Sequence, residues 1–136
     1  MHRTVRLTWL TIVLGLVAPP LMAERNLIPS LESIPDVCPK RPTEPDWMQN
    51  TALRDAYQRV LVQDIYRSQN MERIVETGSC DCATRFPTWD SAESTFRENH
   101  GGADRSDMLE ASEFYNRRAN ELRPQAQAVC EAAGNW

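Results

Sequence analysis

Four cysteines, Cys38, Cys80, Cys82 and Cys130, are the residues of this sequence best placed to do chemistry. Three uses compete for them. A four-cysteine zinc site favours Cys-x-x-Cys pairs in a reducing compartment, and Cys80-Asp81-Cys82 is one residue short of that spacing. A redox pair made of Cys80 and Cys82 would serve a thiol–disulfide or folding helper. Such a pair needs an electropositive setting to lower a thiol pKa, and Asp81 lies between the two sulfurs. An even number of cysteines in an oxidising compartment reads instead as a disulfide framework. A Cys80–Cys82 bond would close a very tight ring. The expected pairing therefore joins one of the central cysteines to Cys38 and the other to Cys130. Each bond would close a loop of roughly 40–50 residues, worth about 3–4 kcal/mol in the chain-entropy model.

Other chemistry is sparse. His100 stands beside Gly101-Gly102 without a nucleophile in an elbow or a second histidine near it, and reads as a helix-end residue favoured by the dipole. Glu72 and Glu76 are four apart but interleaved with Arg73 and close to Arg67, which describes a solvated charged face. No phosphate-binding glycine loop, metal-ligand histidine pair or acyl-transfer triad is legible. No catalytic residue, metal ligand or cofactor is assigned, and the chain is expected not to be an enzyme.

Disulfides require export, and the start of the chain supplies a route. His2, Arg3 and Arg6 precede the apolar run Leu7–Leu21, and Leu21-Met22-Ala23 offers small-residue cleavage before Glu24. This is the layout of a secretory signal peptide spanning residues 1–23, cleaved after Ala23, with an uncleaved anchor as the alternative. The run is shorter than the ~20 residues a bilayer span needs. The expected location is the periplasm or the exterior, with no membrane insertion after cleavage.

The full chain has 136 residues, with 15 Lys+Arg against 19 Asp+Glu. Removing residues 1–23 takes away Arg3 and Arg6 and leaves 113 residues with a formal charge of −6. That balance argues against nucleic-acid binding, which needs clustered Lys and Arg to displace phosphate counterions. Leu, Ile, Val and Phe make up 18 of these 113 residues, below the ~20% at which a folded core becomes hard to build. A thin core of this kind needs a staple, and the cysteines provide it.

The positioning elements follow from periodicity. Residues 24–45 contain Pro29, Pro35, Pro39, Pro42 and Pro45 and read as an extended arm. Residues 46–136 read as the helical domain. Asp46 with Gln49 has capping-box spacing, and Trp47–Thr77 carries Leu53, Tyr57, Val60, Leu61, Ile65, Ile74 and Val75 at helical intervals, as one long helix or as two divided at Ser68-Gln69-Asn70. Gly78 is placed for a left-handed cap. After an irregular link, a shorter helix starting at Thr88 or Asp90 presents Trp89, Ala92 and Phe96 and stops at His100-Gly101-Gly102. The last helix starts at Asp104 or Ser106 and ends at Gly134. Its seam is Met108, Ala111, Tyr115, Ala119, Leu122, Ala126, Val129 and Ala133, and Pro124 is expected to kink it or begin a new helix. The seam packs either on the Leu53–Val75 face, as expected, or on a second copy of the chain. No strand-period run occurs. The fold class is all-α: a small disulfide-stapled bundle or hairpin of about three helices behind a Pro-rich arm.

The link between the helices is rich in large rings. Arg85-Phe86-Pro87-Thr88-Trp89-Asp90 follows the central cysteines, and Trp47 and Trp136 stand at segment ends. Phe86 and Trp89 either cap the thin core or, with Arg85 and Trp47, anchor a protein partner, since Trp, Tyr and Arg dominate interface hot spots. The run Gly78-Ser79-Cys80-Asp81-Cys82 leading into Phe86-Pro87-Thr88-Trp89-Asp90, behind a signal peptide and within a helical body, resembles small exported accessory proteins encoded with conjugative type IV secretion systems. The resemblance implies a periplasmic protein that contacts the envelope-spanning channel or its pilus. The functional expectation is a non-enzymatic interaction protein. A periplasmic thiol–disulfide helper using Cys80 and Cys82 is the alternative.

Overall fold

A computed structural model describes residue 38 and residues 40–136. The signal-peptide reading, and the arm reading over residues 24–37, lie outside the described residues. The elements are helix α1 (Asp46–Gln49), a 3-10 turn (Leu53–Asp55), α2 (Ala56–Thr77), α3 (Cys82–Arg85), α4 (Asp90–His100) and α5 (Arg105–Ala132), with no strand among the described residues. Three helices longer than two turns, α2, α4 and α5, build the body. No described helix is long and apolar enough to cross a membrane.

The first long helix starts later than periodicity suggests. Asp46 is the first residue of α1 and not its cap; Pro45 takes that place without a side-chain bond. Gln49 Nε2 donates to Glu44 O at 2.6 Å and so does not close a capping box. Asn50 Nδ2 donates to Asp46 O and Thr51 Oγ1 to Trp47 O, each at 2.7 Å. These local side-chain bonds compete with helical ones and halt the helix after one turn. Leu53 falls in the interruption and is 93% exposed, off the core-facing stripe that was expected to include it.

From Ala56 the helix is regular. Its buried stripe is Leu61, Val62, Ile65, Tyr66, Ser68, Asn70 and Ile74, and Gly78 closes it with φ 63°. Burial pushes the Tyr66 phenol above the ordinary tyrosine range, against the lowering effect of the nearby Asn70 side chain and of Arg41 and Arg73. The described end of the arm, residues 40–45, is non-helical and lies against α2. Its Glu44 accepts from Arg59 Nη2 at 2.7 Å, from Arg59 Nε at 2.9 Å and from Gln63 Nε2 at 2.5 Å.

α5 runs parallel to α2. Arg105 lies over the Tyr57 ring, Ser112 bonds Asp64, Arg67 bonds Asn120, Arg118 bonds Glu72, and Cys130 bonds Cys80. The partners climb together, so the chain makes its return through residues 78–104. The seam packs on α2 as expected: Met108, Ala119, Ala126 and Cys130 are buried, and the alanines allow close approach of the two backbones. Ala133 is exposed, and Ser112 is buried where no apolar stripe would place it. α5 does not break at Pro124. Pro124 and Asn120 are both exposed, so water can satisfy the Asn120 carbonyl that a proline leaves without its helical donor, and the helix continues.

Helix ends follow local chemistry. Asp104 caps α5 by accepting from Asp107 N at 3.0 Å. At the other end Gly134 has φ 72°, Gly134 N donates to Glu131 O and Asn135 N to Cys130 O, which is a Schellman arrangement. In α4 Trp89 occupies the capping position without a side-chain bond, and Glu93 accepts from Trp47 Nε1 and Arg97 Nη2, both at 2.7 Å. At its end a Cβ on Gly101 would meet Arg97 O at 2.7 Å, so only glycine fits. His100 stands edge-on to Tyr115, whose phenol is raised by burial and by the charge of Glu72.

The core has two parts. Met48, Leu61, Val62, Ile65, Tyr66, Trp89, Ala92, Phe96 and Met108 form the larger. Ile74, Ala126 and the buried Cys80–Cys130 disulfide form the smaller, at the far end of α2 and α5.

Candidate functional site

Asp81 organises the region between the central cysteines. Its Oδ1 accepts from Thr84 N at 2.8 Å and its Oδ2 from Ser79 Oγ at 2.9 Å, which starts the single turn α3 in what reads from sequence as an irregular link. The Thr84 backbone N–H, followed by the Ser79 hydroxyl, holds the Asp81 carboxyl below the usual carboxylate range. Cys80 bonds Cys130 and Cys82 bonds Cys38, each pair with Cα atoms 5.0 Å apart. The expected framework therefore forms, and the choice left open by spacing falls to these two pairs. Cys80 and Cys82 are not joined to each other. All four sulfurs are engaged. The two bonds fit an oxidising, extracytoplasmic compartment.

The four sequence-derived partner candidates separate in space. Trp89 is 3% exposed, stacked on Tyr66 with ring centroids 4.0 Å apart, and donates from Nε1 to Pro42 O at 3.0 Å. It is a core residue and presents no ring to a partner. The buried indole packs its apolar body against Tyr66 and its N–H still finds an acceptor in Pro42 O. Trp47 is 36% exposed and stacks on Phe96 at 5.9 Å, away from the disulfides. Arg85 and Phe86 are half-buried and stay together, the guanidinium 4.9 Å from the ring centroid.

A third ring joins them from the end of the chain. The Schellman turn at Gly134 brings Asn135 back so that its Nδ2 donates to Cys80 O at 2.8 Å. Trp136 follows, 41% exposed, with Arg85 on it at 5.5 Å and Arg123 at 5.8 Å. Arg85, Phe86, Arg123 and Trp136 thus form one aromatic–arginine cluster beside two disulfides that hold its supporting elements together. Arg123 gives no periodic or motif signal, because it meets Trp136 only after the chain turns back. Gly134-Asn135 after a long helix was the available hint. Such a cluster can bind through ring faces and guanidinium edges. Among the described residues no group of three or more His, Cys, Asp or Glu gathers to hold a metal ion.

Comparison with protein-family models, with curated proteins and with solved structures finds no match to this chain.

Proposed function

We propose that the chain is an exported, non-enzymatic accessory protein that binds another protein of the cell envelope, a channel or pilus subunit of a conjugative type IV secretion system. One observation carries the binding reading: Arg85, Phe86, Arg123 and Trp136 converge on an accessible surface anchored by both disulfides. Trp and Arg are the residues that concentrate interface energy, and a pre-formed rigid patch loses little entropy when it docks. The disulfides support an oxidising compartment, and the signal-peptide layout of residues 1–23 supports export to the periplasm. The secretion-system assignment rests on the resemblance of Gly78–Asp90.

The test is crosslinking in the producing cell, followed by affinity capture and mass spectrometry. Wild type is expected to retain channel or pilus subunits, and Phe86→Ala and Trp136→Ala to lose them while far-UV CD and both disulfides are unchanged. Equal capture by wild type and both variants would overturn the role of this surface.

A further inference from the structure

Arg67, Met71, Ala119, Asn120, Arg123 and Trp136 line a cleft of about 200 Å³ next to the aromatic–arginine cluster. Its lining is divided. Met71, Ala119 and the indole are apolar, whereas Arg67, Asn120 and Arg123 are hydrogen-bonding groups. Arg67 donates from Nη2 to Asn116 O at 3.2 Å and Asn120 Oδ1 at 3.1 Å, but its buried Nε has no partner. Arg123 and Arg85 lie over Trp136 and form no ion pair with a carboxylate among the described residues. A guanidinium that covers a ring with its face keeps its N–H edge for a planar anion. The chain as a whole, these arginines included, is acidic, with formal net charge −4. On such a chain an anionic segment is attracted where guanidinium groups stand without a carboxylate partner, as Arg85 and Arg123 do here.

We propose that the cleft binds a glutamate or aspartate side chain on an acidic, partly apolar peptide segment of the partner, the carboxylate on the arginines and the neighbouring apolar group on Trp136 and Met71. The proposal rests on the interaction reading above and supplies the partner's chemistry. A nucleic acid suits the site less well. Three arginines on an acidic chain displace few phosphate counterions, and the apolar lining has no use for a phosphate.

The experiment titrates the disulfide-bonded protein with the blocked peptide acetyl-Leu-Glu-Leu-Glu-Leu-amide, its Gln counterpart, inorganic phosphate and a short single-stranded oligodeoxynucleotide. Arginine Nε–H and indole N–H resonances are followed by 15N NMR. The Glu peptide is expected to shift Arg67, Arg123 and Trp136 saturably while Trp47 and Trp89 stay in place. Arg123→Gln, at an exposed position, is expected to weaken binding about tenfold, the scale of one charge-assisted bidentate contact. Binding should fade as pH falls through ~4.3, where a glutamate side chain takes up its proton. Equal binding of the Gln peptide, of phosphate or of the oligonucleotide, or no shift at all, would overturn the inference. A captured partner that Arg123→Gln retains and Phe86→Ala loses would overturn the carboxylate inference alone and leave the interaction reading standing.

Discussion

The indole of Trp89 lies face to face with the phenol of Tyr66, their planes 23° from parallel. Each ring sends its polar atom to a proline carbonyl in a different segment: Tyr66 Oη to Pro87 O at 2.9 Å and Trp89 Nε1 to Pro42 O at 3.0 Å. The pair thereby ties the end of the arm, the interhelical link and α2 at one point. Trp89→Ala is expected to cost about 3–5 kcal/mol, the range for emptying a buried aromatic site. Trp89→Phe keeps the stacked ring and loses the hydrogen bond, at about 1 kcal/mol. Urea unfolding followed by far-UV CD measures both, and a near-neutral Trp89→Ala would mean that the site does not hold the fold.

Alongside the larger part of the core, α2 also meets α5 through polar groups. Ser112 donates to Asp64 Oδ2 and Asn116 Nδ2 to Asp64 Oδ1, the second at 3.3 Å. Ser112 is 8% exposed, so its hydroxyl has little water to fall back on. Ser112→Ala is expected to cost about 1.5 kcal/mol, as for a bond to a charged acceptor. The Asp64→Ala/Ser112→Ala double variant should be less destabilised than the two single variants added together, by about 1 kcal/mol. Chemical denaturation of all four proteins completes the cycle, and strict additivity would remove the coupling.

The two disulfides differ in burial. Cys80 and Cys130 are 2% and 0% exposed, whereas Cys38 and Cys82 are half-buried. Attack by a thiolate needs access to sulfur. Under mild reductant, timed alkylation and mass spectrometry should label Cys38 and Cys82 first and Cys80 and Cys130 only on unfolding. Replacing Cys80 and Cys130 by Ala opens a loop of 50 residues, which the chain-entropy model values at about 4 kcal/mol.

Asp81 gives an acid-dependent prediction. Its carboxyl is held low by the bonds it accepts from Thr84 N and Ser79 Oγ, so its ionised form is favoured in the folded state. The stabilisation is fully present above the unfolded value of ~3.9 and disappears as pH falls through the lower folded value. Asp81→Ala should therefore melt below wild type at neutral pH, and the two curves should converge toward pH ~2. A gap in melting temperature that stays constant over that range would exclude capping by the carboxylate.

Much of the fold is local and was therefore legible. Gly78 and Gly134 adopt left-handed backbone at helix ends, Asp104 caps α5, and Trp89, Ala92 and Phe96 form the buried face of α4 as their spacing indicates. The break at Asn50-Thr51 was hidden because it depends on where two short side chains bond, and a stripe running through Leu53 carries no trace of that. The Asp64–Ser112 pair and the Cys80–Cys130 bond depend on the parallel register of α2 and α5, which no window of sequence contains. The same holds for the site. Arg85 and Phe86 stood out as neighbours, whereas Arg67 and Arg123 become relevant only once Trp136 is folded back between helices.

Because Cys80 and Cys82 are two apart, their bonds bring residue 38 and residue 130 to a common pole. A mechanical load applied between those two points follows the shortest covalent route. It enters at Cys38, crosses to Cys82, passes through Asp81 to Cys80 and leaves at Cys130. The α2 and α4 helices, and α5 up to Cys130, hang beside that route as slack. The protein can be pulled from this pole with its helical body unstretched.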